Sequence, residues 1–391
     1  MPLTAAEERR ILILAFGSTA CMVMGVNSVM PIIPALAREF SVSQPTASLI
    51  ITAFTLPGIA FTLFVGMLAD RFGRKIIFTL SLLIFCLAGT ACAFTDSFET
   101  LLLFRFLQGV GAAPLGVLNV TIIADTWSGA RMAGVVGYNA TVLSICTAVY
   151  PSLGGLLAHF NWRCTFLLPL LAVPVLLISL RTPLSNPGKA ESFGRYLLGL
   201  ARIFHTRRIA GLLAITGLTF LLLYGPIITC FPVLADARFN AGPAAIGGTM
   251  VISSLGAALT ASQLGRLYAR FSARALLLCS QIFYCLSMLL MVTFNDFSWI
   301  FLPILLFGIG QGMNTPNVQA QLMNAAGAEE RAAVMSANGM LLRLGQTLAP
   351  VSFSFVMGGL GINSGFYLGI AFSVLLSALA IVYVSEKVRI T

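Results

Sequence analysis

The sequence predicts an all-α membrane protein of twelve transmembrane helices, arranged as two pseudo-symmetric six-helix bundles. Composition, the segmentation of the apolar runs and an internal repeat lead there. Of 391 residues, 58% are apolar and 9% charged, with a mean hydropathy of +0.95. Soluble domains carry roughly 25% charged residues, so these charges could not cover a water-facing surface, which excludes a soluble enzyme. A crossing needs about 20 apolar residues. With about ten residues of connection each, the chain holds twelve crossings and no separate soluble domain.

Glycine, proline and charge punctuate the runs. They place spans at 11–34, 46–66, 76–94, 100–124, 133–157, 164–181, 209–234, 243–266, 275–293, 298–323, 333–358 and 364–385. The start, MPLTAAEERR before ILILAFGSTACMVMG, resembles the basic region and core of a signal peptide. The apolar stretch continues to Pro31, however, and further segments follow, so it reads as a retained first span. The longest polar insertion follows span six. There Pro183, Pro187 and Gly188 break helix, and Phe193 to Phe204 could form a basic amphipathic helix on the membrane surface. The predicted divisions are therefore an N-terminal bundle at 1–181, a linker at 182–208 and a C-terminal bundle at 209–391.

The net charge of +10 has a distribution that explains it. Eighteen basic residues fall on the side of the termini and three on the other, Arg38, Arg163 and Arg238. Arg105 and Arg343 lie inside spans. This bias predicts both termini in the cytoplasm of a bacterial inner membrane and accounts for the positive balance without nucleic acid. The eight cysteines contain no CxxC pair, and His159 and His205 stand alone. They offer neither a disulfide framework nor a metal site, and no cofactor is expected.

The halves align at an offset of 199 residues. Gly66, Arg71 and Phe72 match Gly265, Arg270 and Phe271, and Gly109 and Gly111 match Gly308 and Gly310. Asn139 matches Asn338, and Pro151 matches Pro350. Duplicated halves with a binding site between them are a transporter architecture.

Four segments carry a family resemblance. GMLADRFGRK, residues 66–75, resembles the cytoplasmic-loop signature of the major facilitator superfamily. RFLQGVGAA, residues 105–113, is similar to that family's second signature. YPSLGG, residues 150–155, is similar to the proline-glycine signature of its twelve-helix drug:proton antiporter branch, and NWRCTF at 161–166 also fits. In the first motif, Gly66 and Gly73 allow close helix approach and a tight turn. Asp70 and Arg74 are four apart and would share a face if one helix ran through both. With Arg71 beside them, Asp125 could close a charge cluster. The resemblance implies that this cluster latches the halves in an outward-open state. Pro151, Gly154 and Gly155 should kink and thin span five where it bends against span eight.

Charge inside a span is costly and is usually placed in a cavity. On a helix Arg105, Gln108, Ala112 and Asn119 share a stripe. Arg343 lies near mid-bilayer, with Gln346 and Thr347 on its face. All 13 acids fall in loops or at span ends, and span one offers only the non-titrating Asn27 and Ser28. The resemblance to the antiporter branch implies a proton-carrying carboxylate embedded in span one or span four, as in many proton-coupled relatives, and this sequence departs from that pattern. Two embedded cations without embedded acids predict an anionic or zwitterionic solute, paired with guanidinium. Tyr138, Asn139, Tyr224, Gln311, Asn314, Asn338 and Gln346 would supply neutral donors and acceptors. The expected protein is thus a monomeric secondary transporter, an exporter working by alternating access with protons as candidate coupling ion. The runner-up is proton-coupled efflux of hydrophobic or cationic drugs. A membrane enzyme would need a catalytic cluster near one interface, and a channel would need neither hinge nor duplication.

Overall fold

The computed structural model describes residues 4–127, 129–184, 206–325 and 331–384. These form twelve helical crossings and, among the described residues, no strand. They are α1 Ala5–Glu39, α2 Gln44–Phe72, α3 Arg74–Phe94, α4 Phe98–Thr126, α5 Gly129–Phe160 and α6 Trp162–Arg181. The second half has α7 Arg207–Phe239, α8 Pro243–Ser262, α9 Ala273–Thr293, α10 Phe297–Ala325, α11 Arg331–Leu360 and α12 Ser364–Tyr383. On the described residues, eleven are long and apolar enough to cross a bilayer. The other, α2, is 29 residues long and uncharged from Gln44 to Ala69.

Several helices outrun the apolar segments because capping residues extend them. Thr4 forms a capping box with Glu7, and Ser43, Ser97 and Ser272 accept the backbone N–H three residues on at the starts of α2, α4 and α9. Span one thus begins at Ala5 rather than residue 11 and ends at Glu39, after a 3-10 turn at Met30–Ile32. Span seven reaches Phe239 through a π-helical stretch, Leu223–Cys230, that surrounds Pro226. Proline has no N–H to continue the ladder, and the wider winding re-pairs its neighbours. Most of the linker, including 193–204, lies outside the described residues.

The two halves are built alike. In the first, α4 packs on α2 and α3, and α1 on α5; in the second, α10 packs on α8 and α9, and α7 on α11. The 199-residue offset recurs in atomic detail. A methyl group on Gly109 would strike the Phe54 carbonyl, and one on Gly308 the Ser253 carbonyl. Likewise Gly111 lies against Ser81 O and Gly310 against Ser280 O. Small residues let these helices approach backbone to backbone, as membrane helices do.

Between the halves, α2 packs on α11 and α5 on α8, two seams that are images of each other under the repeat. Both are closed on the side away from the termini, the far face. Pro45 lies beside Gly358, Thr52 Oγ1 donates to Thr347 O at 3.2 Å, and Thr55 and Thr347 share a hydroxyl bond of 3.0 Å. Ser152 Oγ donates to Gly247 O at 3.1 Å. Arg38, in the last turn of α1, holds both oxygens of Asp236 on α7 at 2.8 and 2.6 Å. Every contact between the halves named here lies toward that far face. These contacts seal the halves against each other at the far face.

Candidate functional site

Arg343 stands on α11 one turn before Thr347, and its side chain reaches into the other half. A Cβ on Gly58 of α2 would lie 2.9 Å from Arg343 Cδ and 3.2 Å from Nε; one on Gly116 of α4 would lie 3.5 Å from Nη2. Nη2 also meets Met22 Sδ of α1 at 3.3 Å, a weak acceptor. Gln346, on the next turn, donates from Nε2 to the Tyr224 hydroxyl at 3.0 Å, and Thr347 Oγ1 bonds Arg343 O at 2.8 Å. One guanidinium thus touches three helices of the first half, and among the described residues no carboxylate pairs with it.

Arg105 corrects an expectation. It was expected to border a cavity, but it is fully enclosed, at 0% exposure. Its guanidinium lies over the Phe54 ring at 4.4 Å. Nε donates to Ile50 O at 3.3 Å, Nη1 to Gln108 Oε1 at 2.6 Å and Nη2 to Gly25 O at 2.7 Å. These bonds tie α1, α2 and α4 together, and desolvation is offset by carbonyl partners and the ring face. In this conformation Arg105 and Gln108 are a brace, with no donor facing an open space.

The amides divide between the halves. Asn119 Nδ2 bonds Ala15 O, Ser18 Oγ at 2.9 Å and Thr19 Oγ1 at 2.7 Å, and Asn139 Nδ2 bonds Asn119 Oδ1 at 3.2 Å. In the second half Asn338, the repeat image of Asn139, accepts from Thr216 Oγ1 at 2.8 Å, while Asn314 Nδ2 bonds Thr219 Oγ1 at 3.1 Å. A crevice of about 10 Å³, room for one water, lies there, lined by Thr216, Thr219, Gln319 and Asn338. Asn27 and Gln311 are half-buried and Tyr138 is exposed. None of the three contacts Arg343.

The loop motif is placed differently from the helical-face expectation. Gly73, at φ +93°, breaks the chain between α2 and α3, so Asp70 and Arg74 do not share one helical face. A left-handed turn of this kind suits only glycine without strain. Arg74, in the first turn of α3, is buried and pairs with Asp125 at the end of α4. That pair lies within the first half and joins α3 to α4. Arg71 is exposed, its guanidinium 5.6 Å from the Phe72 ring centroid. Gly66 and Asp70 belong to α2, and their surroundings lie outside what is described. At the other end of α5, Gly154 lies against the Ser28 carbonyl, Gly155 against Pro243 O, and Pro151 O against Gly247. The proline-glycine segment therefore sits on the α5–α8 seam. Met22, Gly58, Gly116 and the Arg38–Asp236 pair were absent from the sequence-based site; the repeat offset gave no signal for contacts between halves.

A helical body of two like halves, joined at one face with a half-buried cation reaching between them, is the build of a secondary transporter. The sequence profile of the Major Facilitator Superfamily matches residues 15–239 and 212–389, and the chain belongs to that family. It is similar to "Multidrug resistance protein 1" of Bacillus subtilis (24% identity; 88% of each chain covered). It is also similar to the "Bacillibactin exporter" of the same organism (24% identity; 86% of this chain and 87% of that one). Among solved structures it resembles a bacterial homolog of the human lysosomal transporter Spinster, in an inward-facing, unoccupied conformation. The TM-score is 0.82 and the identity 15%, with 97% and 98% of the two chains covered.

Proposed function

We propose that this transporter exports a small anionic or zwitterionic organic solute, and that Arg343 receives its negative group. The carrying observation is the placement of Arg343 at the joint of the halves, with a thioether at Nη2 and no paired carboxylate among the described residues. A carboxylate or phosphate there would form charge-assisted bonds that sulfur cannot. Tyr224 and Gln346 flank the bound group. Asn27, Asn119, Tyr138, Asn139, Gln311, Asn314 and Asn338 furnish the polar frame on either side, and Arg105 with Gln108 holds the first half rigid. The eighteen-to-three loop bias puts the termini in the cytoplasm of a bacterial inner membrane. The face opposite the seal is then the inward one, where an exporter loads.

The solute exchanges sides as the halves, divided near 181–209, rock about the two seams, with Pro151, Gly154 and Gly155 as the bending segment. The turn at Gly73 and the Arg74–Asp125 pair, with Gly66, Asp70 and Arg71, form the cytoplasmic latch of the opposite state. The protein works as a monomer, without cofactor or covalent chemistry, and protons are the coupling ion considered. A second reading, proton-coupled efflux of hydrophobic or cationic drugs, is favoured by the proline-glycine segment on the α5–α8 seam and by the name of one similar protein.

Thermal-shift measurements on purified protein with anionic, zwitterionic and cationic solutes, at two pH values, separate the readings. Anions should stabilise the wild type and not Arg343→Gln, and transport of the same anions into proteoliposomes should fall with that substitution. Stabilisation by cations alone, or unchanged anion transport in Arg343→Gln, overturns the anion reading.

A further inference from the structure

Inside the second half, between α7, α9 and α10, lies a run of enclosed carboxamides. Gln281 on α9 is 3% exposed, and Asn314, Asn317 and Gln321 on α10 are 0% exposed. Spaced i, i+3 and i+7, the last three share one face of α10. Their donors find partners. Asn314 Nδ2 donates to Thr219 Oγ1 of α7 at 3.1 Å, and the Tyr284 hydroxyl lies beside it. Asn317 Nδ2 donates to Ala273 O at 2.9 Å, and Gln281 Nε2 to Ser280 Oγ at 3.0 Å. The acceptors do not: Gln281 Oε1, Asn314 Oδ1, Asn317 Oδ1 and both polar atoms of Gln321 are buried without a hydrogen-bond partner.

The first half supplies an internal comparison. At the 199-residue offset the four amides correspond to Leu82, Leu115, Leu118 and Ile122, and Tyr284 corresponds to Phe85. All five of these apolar residues are enclosed, at 2% exposure or less. The packing of α4 on α3 is thus made with an aliphatic layer where the matching packing of α10 on α9 has carboxamides. The fold itself does not call for amides there. A buried polar atom left unpaired forfeits its hydration with nothing in return, and five together would weigh heavily against the marginal stability of any domain. Such a layer persists when something small and polar completes its bonds.

We propose that these amides bind a file of water molecules inside the second half. A buried water makes about three hydrogen bonds, and it both donates to amide oxygens and accepts from Gln321 Nε2. One cation does not fit the same atoms. Asn314 and Gln321 are seven residues apart, about 10.5 Å along the helix axis, whereas the oxygen ligands of one ion lie within about 2.6 Å of it. The file begins near the face that carries the termini, because Asn317 bonds the first residue of α9 and Gln321 stands four residues before the end of α10. Its inner end is Thr219, which Asn314 shares with the one-water crevice beside Asn338. Water thereby reaches Asn338 of α11 through the body of the second half rather than between the halves. The file holds whichever solute the protein carries.

Hydroxyl-radical footprinting of the purified full chain tests this. Radicals formed from water by X-ray radiolysis label side chains that touch water, buried or not, and each rate is normalised to that of the denatured chain. Tyr284 should be labelled several-fold faster than Phe85, its enclosed image in the first half. N317L/Q321L, which gives α10 an aliphatic face there as α4 has, should bring Tyr284 down to the level of Phe85 and leave the exposed Tyr138 unchanged. Asn317→Leu alone should lower it part of the way, which keeps the test open if the double variant folds poorly. Equal protection of Tyr284 and Phe85 in the wild type overturns the file, as does unchanged Tyr284 labelling in Asn317→Leu. Thermal stabilisation by sodium chloride and not by choline chloride, lost in Asn317→Leu, would mean a bound cation and overturns water as the occupant.

Discussion

Arg105 and Arg343 show how far a residue's neighbours decide its work. Both are arginines inside spans, both lie beside glutamine at i+3, and nothing in their local sequence separates them. Arg105 is surrounded by Ile50 O, Gly25 O, Gln108 and the Phe54 ring, so its loss removes bonds that hold three helices. Arg105→Ala should cost about 2–4 kcal/mol of stability, since hydrogen bonds to a buried charge are lost along with packing. A lowered Tm, with KM unchanged in the folded fraction, checks it. Arg343→Gln should do the reverse: little change in Tm and a KM raised roughly tenfold to a hundredfold, the scale of one charged hydrogen bond. The sequence marks both as costly and therefore meaningful. It does not say which one faces a partner helix and which a gap, because helices rich in glycine and small residues bury every side.

Among the elements, the α5–α8 seam is built from peptide groups rather than interlocking side chains. Gly155 meets Pro243 O, and Gly247 meets Pro151 O, so the helices touch with no rotamer between them. Gly155→Ala should wedge this seam apart and shift the population away from the far-sealed state. Spin-label distances across the far face should lengthen or broaden, while the distances within each half stay fixed. The twelve spans, their order and the seam's proline were legible in the sequence, because apolar length and helix-breaking residues are local signals. The winding of α7 through Leu223–Cys230 was not, since a π-helical stretch leaves no compositional trace beyond one proline. Nor was the break at Gly73 that turns Arg74 toward Asp125, although the glycine itself was read as a turn residue.

For the whole molecule, the Arg38–Asp236 pair joins the halves at the sealed far face. Arg38 is 59% exposed there, so the pair is worth about 0.2–1 kcal/mol and weakens with salt. Arg38→Ala or Asp236→Ala should raise the far-open population about 1.5- to 5-fold, and the exchanged pair R38D/D236R should restore it. The same spin-label distances, taken at low and high salt, are the measurement. Close to this clamp the two copies part company. At matching positions α1 tightens into a 3-10 turn, Met30–Ile32, while α7 loosens into the π-helical stretch ending at Cys230. A coil wound tighter rises more per residue and one wound looser rises less, so the two walls of the outer vestibule have different thread. A chimera made by duplicating either half would give both walls the same thread, so the present fit of unlike walls at the far face cannot be rebuilt by copying one half.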